Sequence, residues 1–74
     1  INNPVNFIYG NLNYANDYIQ DLLRLLQLYQ LEYPEPTATL QDAMEAIDLD
    51  FMIEDLPKLL TSMRVGSERI REII

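Results

Sequence analysis

The sequence has no cysteine and no histidine. Without cysteine no disulfide can reinforce the fold, and without histidine these residues cannot form an imidazole zinc site or a histidine-based catalytic triad. Glycine occurs only twice, and no glycine-rich phosphate loop is present. No apolar run approaches the length of a membrane span, and no signal peptide is visible, so we expect a cytoplasmic chain without direct membrane contact.

The chain is rich in apolar and acidic residues. Hydrophobic residues make up 49% of the 74 positions, which is too many for a disordered tail. The length allows one domain, and small domains without disulfides or metals often oligomerise. Acidic residues outnumber basic ones 12 to 5, for a net charge of −7. This balance argues against nucleic acid as a partner.

Two prolines divide the chain into arms. Pro34 and Pro36 disfavour helix in the residues before them, and Thr37 offers a hydroxyl that can cap a following helix. We therefore predict a single domain over residues 1–74, with a helix at 4–31, a hinge at 32–37 and a helical arm at 38–74. Pro4 suits the first turn of the first helix.

Both arms carry apolar residues at helical spacing. The first arm has a heptad stripe from Ile8 to Tyr29, and the second has two stripes whose phase slips between Phe51 and Leu56. Because Pro57 also removes a backbone donor there, we expect a kink or break near 55–57. The breadth of the faces predicts an all-α antiparallel hairpin that dimerises into a four-helix bundle. The expected dimer core is Ile19, Leu22, Leu26, Leu60, Met63 and Ile70.

Charge is segregated along the chain. Residues 30–56 contain eight acidic residues and no basic one, whereas residues 57–74 carry a net charge of +2. A calcium loop needs a central glycine and closely alternating oxygen ligands, and apolar residues occupy the intervening positions. We expect no metal site, and we interpret the acids as a solvated surface.

The two ends of the chain resemble one protein family. The opening Ile1-Asn2-Asn3-Pro4 is similar to the end of the H-box of sensor histidine kinases, whose pattern is H-E-I-N-N-P. The segment from Gly66 to Ile74 resembles the G-x-x-R-I-x-x-I-V pattern in the second helix of the same domain. The intervening residues look most like the variant found in cyanobacterial multi-sensor kinases.

This resemblance implies a dimerisation and histidine-phosphotransfer domain. The phosphoacceptor histidine and its glutamate would come immediately before Ile1, so the chain alone could not autophosphorylate. Asn2 and Pro4 match structural positions of the H-box, and Asn3 matches the position at which an amide can assist dephosphorylation of the response regulator. ATP and Mg would bind a separate domain of the parent, and the partners would be that domain, a receiver domain and a second copy.

The function predicted is therefore the dimerisation and phosphotransfer scaffold of a two-component kinase. One alternative is a helical interaction module without a phosphotransfer role, which the residues encoded before Ile1 would distinguish. A second alternative is a helical carrier of a metal or ligand, which metal titration of the acidic segment would test. The signal sensed, the cognate regulator and the membrane anchoring of the parent stay open.

Overall fold

The computed structural model describes residues 3–73, which form three helices. They are α1 (Asn3–Glu32), α2 (Ala38–Ala46) and α3 (Leu49–Ile73), and residues 3–73 include no strand. The predicted all-α hairpin is confirmed, since α1 packs along α3. Asn2 and Ile74, on which predictions were made, lie outside the described residues, as does the side chain of Asn3.

The first helix ends where the prolines predict. It extends one residue beyond the predicted range at each end, and Pro4 lies in its first turn. Its last turn is continued by a bond of 2.9 Å from the Tyr33 amide to the Tyr29 carbonyl. The Pro34 ring then disfavours helical backbone at Tyr33, and Pro36 brings no amide donor, so the helix stops.

Thr37 begins the second arm as predicted. Its backbone is extended, and its hydroxyl accepts a hydrogen bond of 3.3 Å from the Leu40 amide. Its carbonyl accepts the first helical bond, 2.9 Å from the Gln41 amide. This capping satisfies amide groups that have no partner inside the first turn, so α2 starts at Ala38.

The second arm is interrupted elsewhere than at Pro57. We expected a kink or a short break near 55–57; α3 has no break there and continues through Pro57, whereas α2 already ends at Ala46. A kink of the continuous helix at Pro57 stays a prediction. The interruption is at Ile47 and Asp48, because Asp48 adopts a positive φ of 51° that α-helical backbone does not allow. A proline within a helix removes one hydrogen bond and crowds the carbonyl four residues earlier, and α3 accommodates both effects at Pro57.

The hairpin is antiparallel and elongated. Near the end of α3 the Arg71 guanidinium lies 4.3 Å from the ring centre of Tyr9, which is near the start of α1. The principal extents are 51 × 20 × 15 Å. The radius of gyration is 16.4 Å, whereas a compact domain of this length has about 11 Å. One hairpin therefore has two helical layers in contact and little interior.

Candidate functional site: the uncovered face of the hairpin

The inner face, where α1 and α3 meet, holds the small core of the chain. Leu60 is 5% exposed, and it is the one buried apolar residue among those described. On α1 seven half-buried residues recur at alternating spacings of four and three, which places them on one side of the helix. They are Val5, Tyr9, Leu12, Asn16, Ile19, Leu23 and Leu26. Gly10, Asn13, Ala15 and Gln20 are half-buried as well, so burial on α1 extends beyond this row.

A second apolar face lies beside the inner face and is not covered by any other helix of the described chain. It consists of one row of exposed apolar residues on α1 and one on α3, each with heptad spacing, and we call these two rows the outer stripe. Leu22 is 63% exposed and Met63 is 50% exposed, which is unusual for large apolar residues repeated along one line. The exposed members of the outer stripe are Ile8, Tyr18, Leu22, Leu25 and Tyr29 on α1, and Met52, Leu59, Met63, Ile70 and Ile73 on α3.

The six residues predicted as a dimer core divide between these two faces. Leu60 is buried within the hairpin, and Ile19 and Leu26 are half-buried on the inner face. The other three, Leu22, Met63 and Ile70, belong to the outer stripe. Sequence spacing did not distinguish the two groups because the two faces of each helix are adjacent and equally periodic.

The accessible surface is large for a chain of this size. It amounts to 6099 Å² for 8.7 kDa, against about 4,700 Å² for a compact monomer of the same mass. The excess of about 1,400 Å² over a compact monomer reflects the elongated shape of the hairpin, which leaves large apolar side chains of the outer stripe accessible.

At the open end of the hairpin, the start of α1 lies beside the end of α3. Asn6, Glu68, Arg71 and Glu72 line a shallow groove there. The Arg71 guanidinium stacks over the half-buried ring of Tyr9, a contact worth about 0.5–1 kcal/mol at an exposed site. This contact ties the first turns of α1 to the last turns of α3.

The inner face near this end is polar, a feature not predicted from the sequence. Ser67 is 7% exposed, and its hydroxyl has no hydrogen-bond partner among the described residues. Asn13, Asn16 and Arg64 are half-buried in the same half of the hairpin. The signal was available in the sequence, because Asn16 and Ser67 occupy positions that the heptad spacing assigns to a helix face.

The acidic residues are concentrated at the hinge end of the hairpin, in residues 30–56. Within residues 3–73, no three carboxylates are close enough together to hold a metal ion. Two ion pairs occur in the described part of the chain, Asp21 with Arg24 and Glu54 with Lys58, and each joins residues of one helix. Such exposed local pairs contribute little, and neither links one helix to another.

No protein-family model, curated protein or solved structure matches this chain. None of the helices formed by residues 3–73 is long and apolar enough to cross a membrane.

Proposed function

We propose that this chain is the dimerisation and phosphotransfer scaffold of a two-component sensor histidine kinase. The proposal rests on the two sequence segments that resemble this family and on the helical hairpin that carries them. The kinase reaction itself belongs to the parent protein, in which a separate domain binds ATP and Mg. Within this chain the residues supply the dimer surface and the frame that holds the phosphoacceptor segment.

The observation that carries the proposal is the meeting of the two segments. Pro4 and Asn6 belong to the first turns of α1, and Gly66 to Ile73 form the last turns of α3. Although they lie more than fifty positions apart in the sequence, the contact of Arg71 with Tyr9 brings these turns together at the open end. A histidine preceding Ile1 would extend from that same end, where a kinase domain and a receiver could reach it.

The outer stripe supports dimerisation. Two antiparallel hairpins that bury their outer stripes against each other form a four-helix bundle, in which each helix presents both of its apolar faces to neighbours. Burying one large apolar side chain that is otherwise exposed contributes about 1.5–3 kcal/mol. Ten such residues on each chain supply the apolar centre of this contact, and polar residues beside them would complete it.

A helical interaction module without phosphotransfer is the second candidate, and the outer stripe supports it equally. The two functions differ in the residues that precede Ile1. A measurement of dimerisation therefore cannot distinguish the two functions. The deciding experiment has to measure transfer of a phosphoryl group to the protein.

The test uses the parent protein with its own upstream residues and its ATP-binding domain. Incubation with radiolabelled ATP and Mg should label the protein with an acid-labile, base-stable phosphoryl group, as a phosphohistidine requires. The control replaces the histidine expected before Ile1 with glutamine, which should abolish the label. A parent without a histidine at that place, or a label that survives this replacement, would refute the kinase function and leave the interaction module.

Asn3 is the residue of this chain to which the proposal gives a chemical role. Its amide oxygen can accept a proton of the water that attacks an aspartyl phosphate, which helps to orient that water. In the parent, Asn3→Ala should slow phosphate release from a phosphorylated receiver domain and leave histidine phosphorylation largely unchanged. Equal phosphate release by both proteins, when the wild type is active, would remove Asn3 from this role.

A further inference from the structure

The backbone between α2 and α3 depends on a single unusual residue. Asp48 has a φ of 51°, and no other residue in the part of the chain described, glycine included, has a positive φ. Aspartate enters this left-handed region more readily than most residues, but glycine does so at far lower cost. The break between α2 and α3 therefore depends on a backbone conformation that aspartate can adopt but does not favour.

Both sides of the break are already helical in their bonding. The Ile47 amide donates to the Ala43 carbonyl at 3.3 Å, and the Met52 amide donates to the Asp48 carbonyl at 3.1 Å. Each is a bond between residues four apart, as in an α-helix. Ile47 itself has right-handed backbone angles, φ −97° and ψ −1°. The Asp48 amide instead donates to the Glu45 carbonyl at 3.1 Å, three residues back. Joining α2 and α3 therefore requires a right-handed Asp48 and the exchange of this one bond.

Few contacts hold α2 in its present position. None of its residues is buried. Met44 is half-buried, and its sulfur lies 4.0 Å from the Gln30 amide nitrogen at the end of α1. A helix with so little buried surface is a low-stability element that can move without unfolding the rest.

The break determines which way Met44 faces. Met44 and Leu60 are sixteen residues apart, so a continuous helix would place them about 160° from each other around its axis. In such a helix Leu60 could remain against α1 only if Met44 turned away from it. The break at Asp48 removes this conflict, because it lets α2 turn Met44 towards α1 independently of α3.

We propose that Ile47 and Asp48 form an articulation with two positions. In the docked position, which this structure has, Met44 lies against the end of α1. In the extended position Asp48 becomes right-handed, α2 and α3 form one helix, and Met44 faces away from α1. This inference concerns the hinge end of the hairpin and does not depend on the proposed kinase function.

The absence of cysteine makes the two positions directly measurable. Cysteines introduced as Thr39→Cys and Thr61→Cys, both at exposed positions, can carry spin labels for distance measurement by electron paramagnetic resonance. Excess unlabelled chain restricts the measurement to distances within one chain. The two α-carbons would be about 33 Å apart in a continuous helix and closer in the docked position.

Two substitutions shift the articulation in opposite directions. Asp48→Gly favours the left-handed conformation and should leave only the shorter distance, whereas Asp48→Ala favours helix and should enrich the longer one and raise the helical circular dichroism. The wild-type chain should contain both distances. A single distance in the wild type, or the same distribution in the glycine and alanine variants, would overturn the proposal.

Discussion

The inner and outer faces of this hairpin are built from the same kinds of residues but have different surroundings. Leu60, on the inner face, is 5% exposed, whereas Leu22, on the outer stripe, is 63% exposed. Both belong to rows with heptad spacing, and the rows are adjacent on each helix. Periodicity thus indicates that a face has to be covered, but it does not indicate whether the same chain or another one covers it.

The two faces also differ in polarity. Near the open end, the inner face includes Asn13, Asn16 and the buried Ser67, while the outer stripe there consists of Ile8, Met63, Ile70 and Ile73. The uncovered face is the more apolar of the two in that half of the hairpin. Because contiguous exposed apolar surface marks interaction sites in proteins, the outer stripe is where we expect a partner chain.

The largest effect should come from a charge placed on the outer stripe. Leu22→Asp puts one carboxylate per chain into the proposed interface, and we expect association to weaken by about 100-fold, or ~3 kcal/mol. Analytical ultracentrifugation over a concentration series measures this change. The matched control is Leu28→Asp, on the same helix at a similarly exposed position away from the stripe. Equal effects of the two substitutions would remove the special role of the outer stripe.

On the inner face, truncation of the core should cost nearly as much. Leu60→Ala removes the buried leucine, and we expect the free energy of unfolding to fall by about 2–3 kcal/mol. Val65→Ala, on the exposed side of the same helix, should change it by less than about 0.5 kcal/mol. Urea denaturation at one fixed protein concentration compares the two variants. A similar small loss for both would mean that Leu60 does not anchor the hairpin.

Ser67 offers a stabilising change on the inner face. Its buried hydroxyl lacks a partner among the described residues, so Ser67→Ala removes a desolvated polar group and adds a better helix former. We expect a gain of about 1 kcal/mol in the free energy of unfolding, measured by thermal and urea denaturation. A loss of stability would indicate that the hydroxyl is hydrogen-bonded in solution.

Substitutions at the two glycines allow the stability of the single chain and the strength of dimerisation to be measured separately. A β-carbon added to Gly10 or Gly66 would meet no atom within 4 Å. Alanine at either site should therefore stabilise its helix by up to about 1 kcal/mol. Gly66 has the spacing of the outer stripe, between Met63 and Ile70, so only Gly66→Ala should alter the dimer dissociation constant as well. Identical dissociation constants for both variants would exclude close approach of a partner at Gly66.

Local signals in the sequence were sufficient for much of the secondary structure. The prolines at 34 and 36 and the hydroxyl of Thr37 located the hinge, and α1 agrees with its predicted range within one residue at each end. These features act through backbone groups next to them in the chain, so no distant contact is needed to interpret them. The proposed dimer surface was predicted only in part. The spacing in the sequence identified the apolar residues, but it did not show which of them belong to the inner face and which to the outer stripe.

The sequence by itself determined that this chain is helical, that it turns at the two prolines, and that its helices carry more apolar surface than one hairpin can cover. Tertiary structure alone decided that Leu60 is buried while Leu22 and Met63 are exposed, because burial depends on which neighbour occupies each side of a helix. It also decided that the second arm breaks at Asp48 and not beside Pro57. A helix can accommodate proline and continue, whereas the positive φ of Asp48 is incompatible with helical backbone. A continuous helix would also turn Met44 about 160° away from Leu60, so the break allows Met44 to approach Gln30 while Leu60 stays buried against α1.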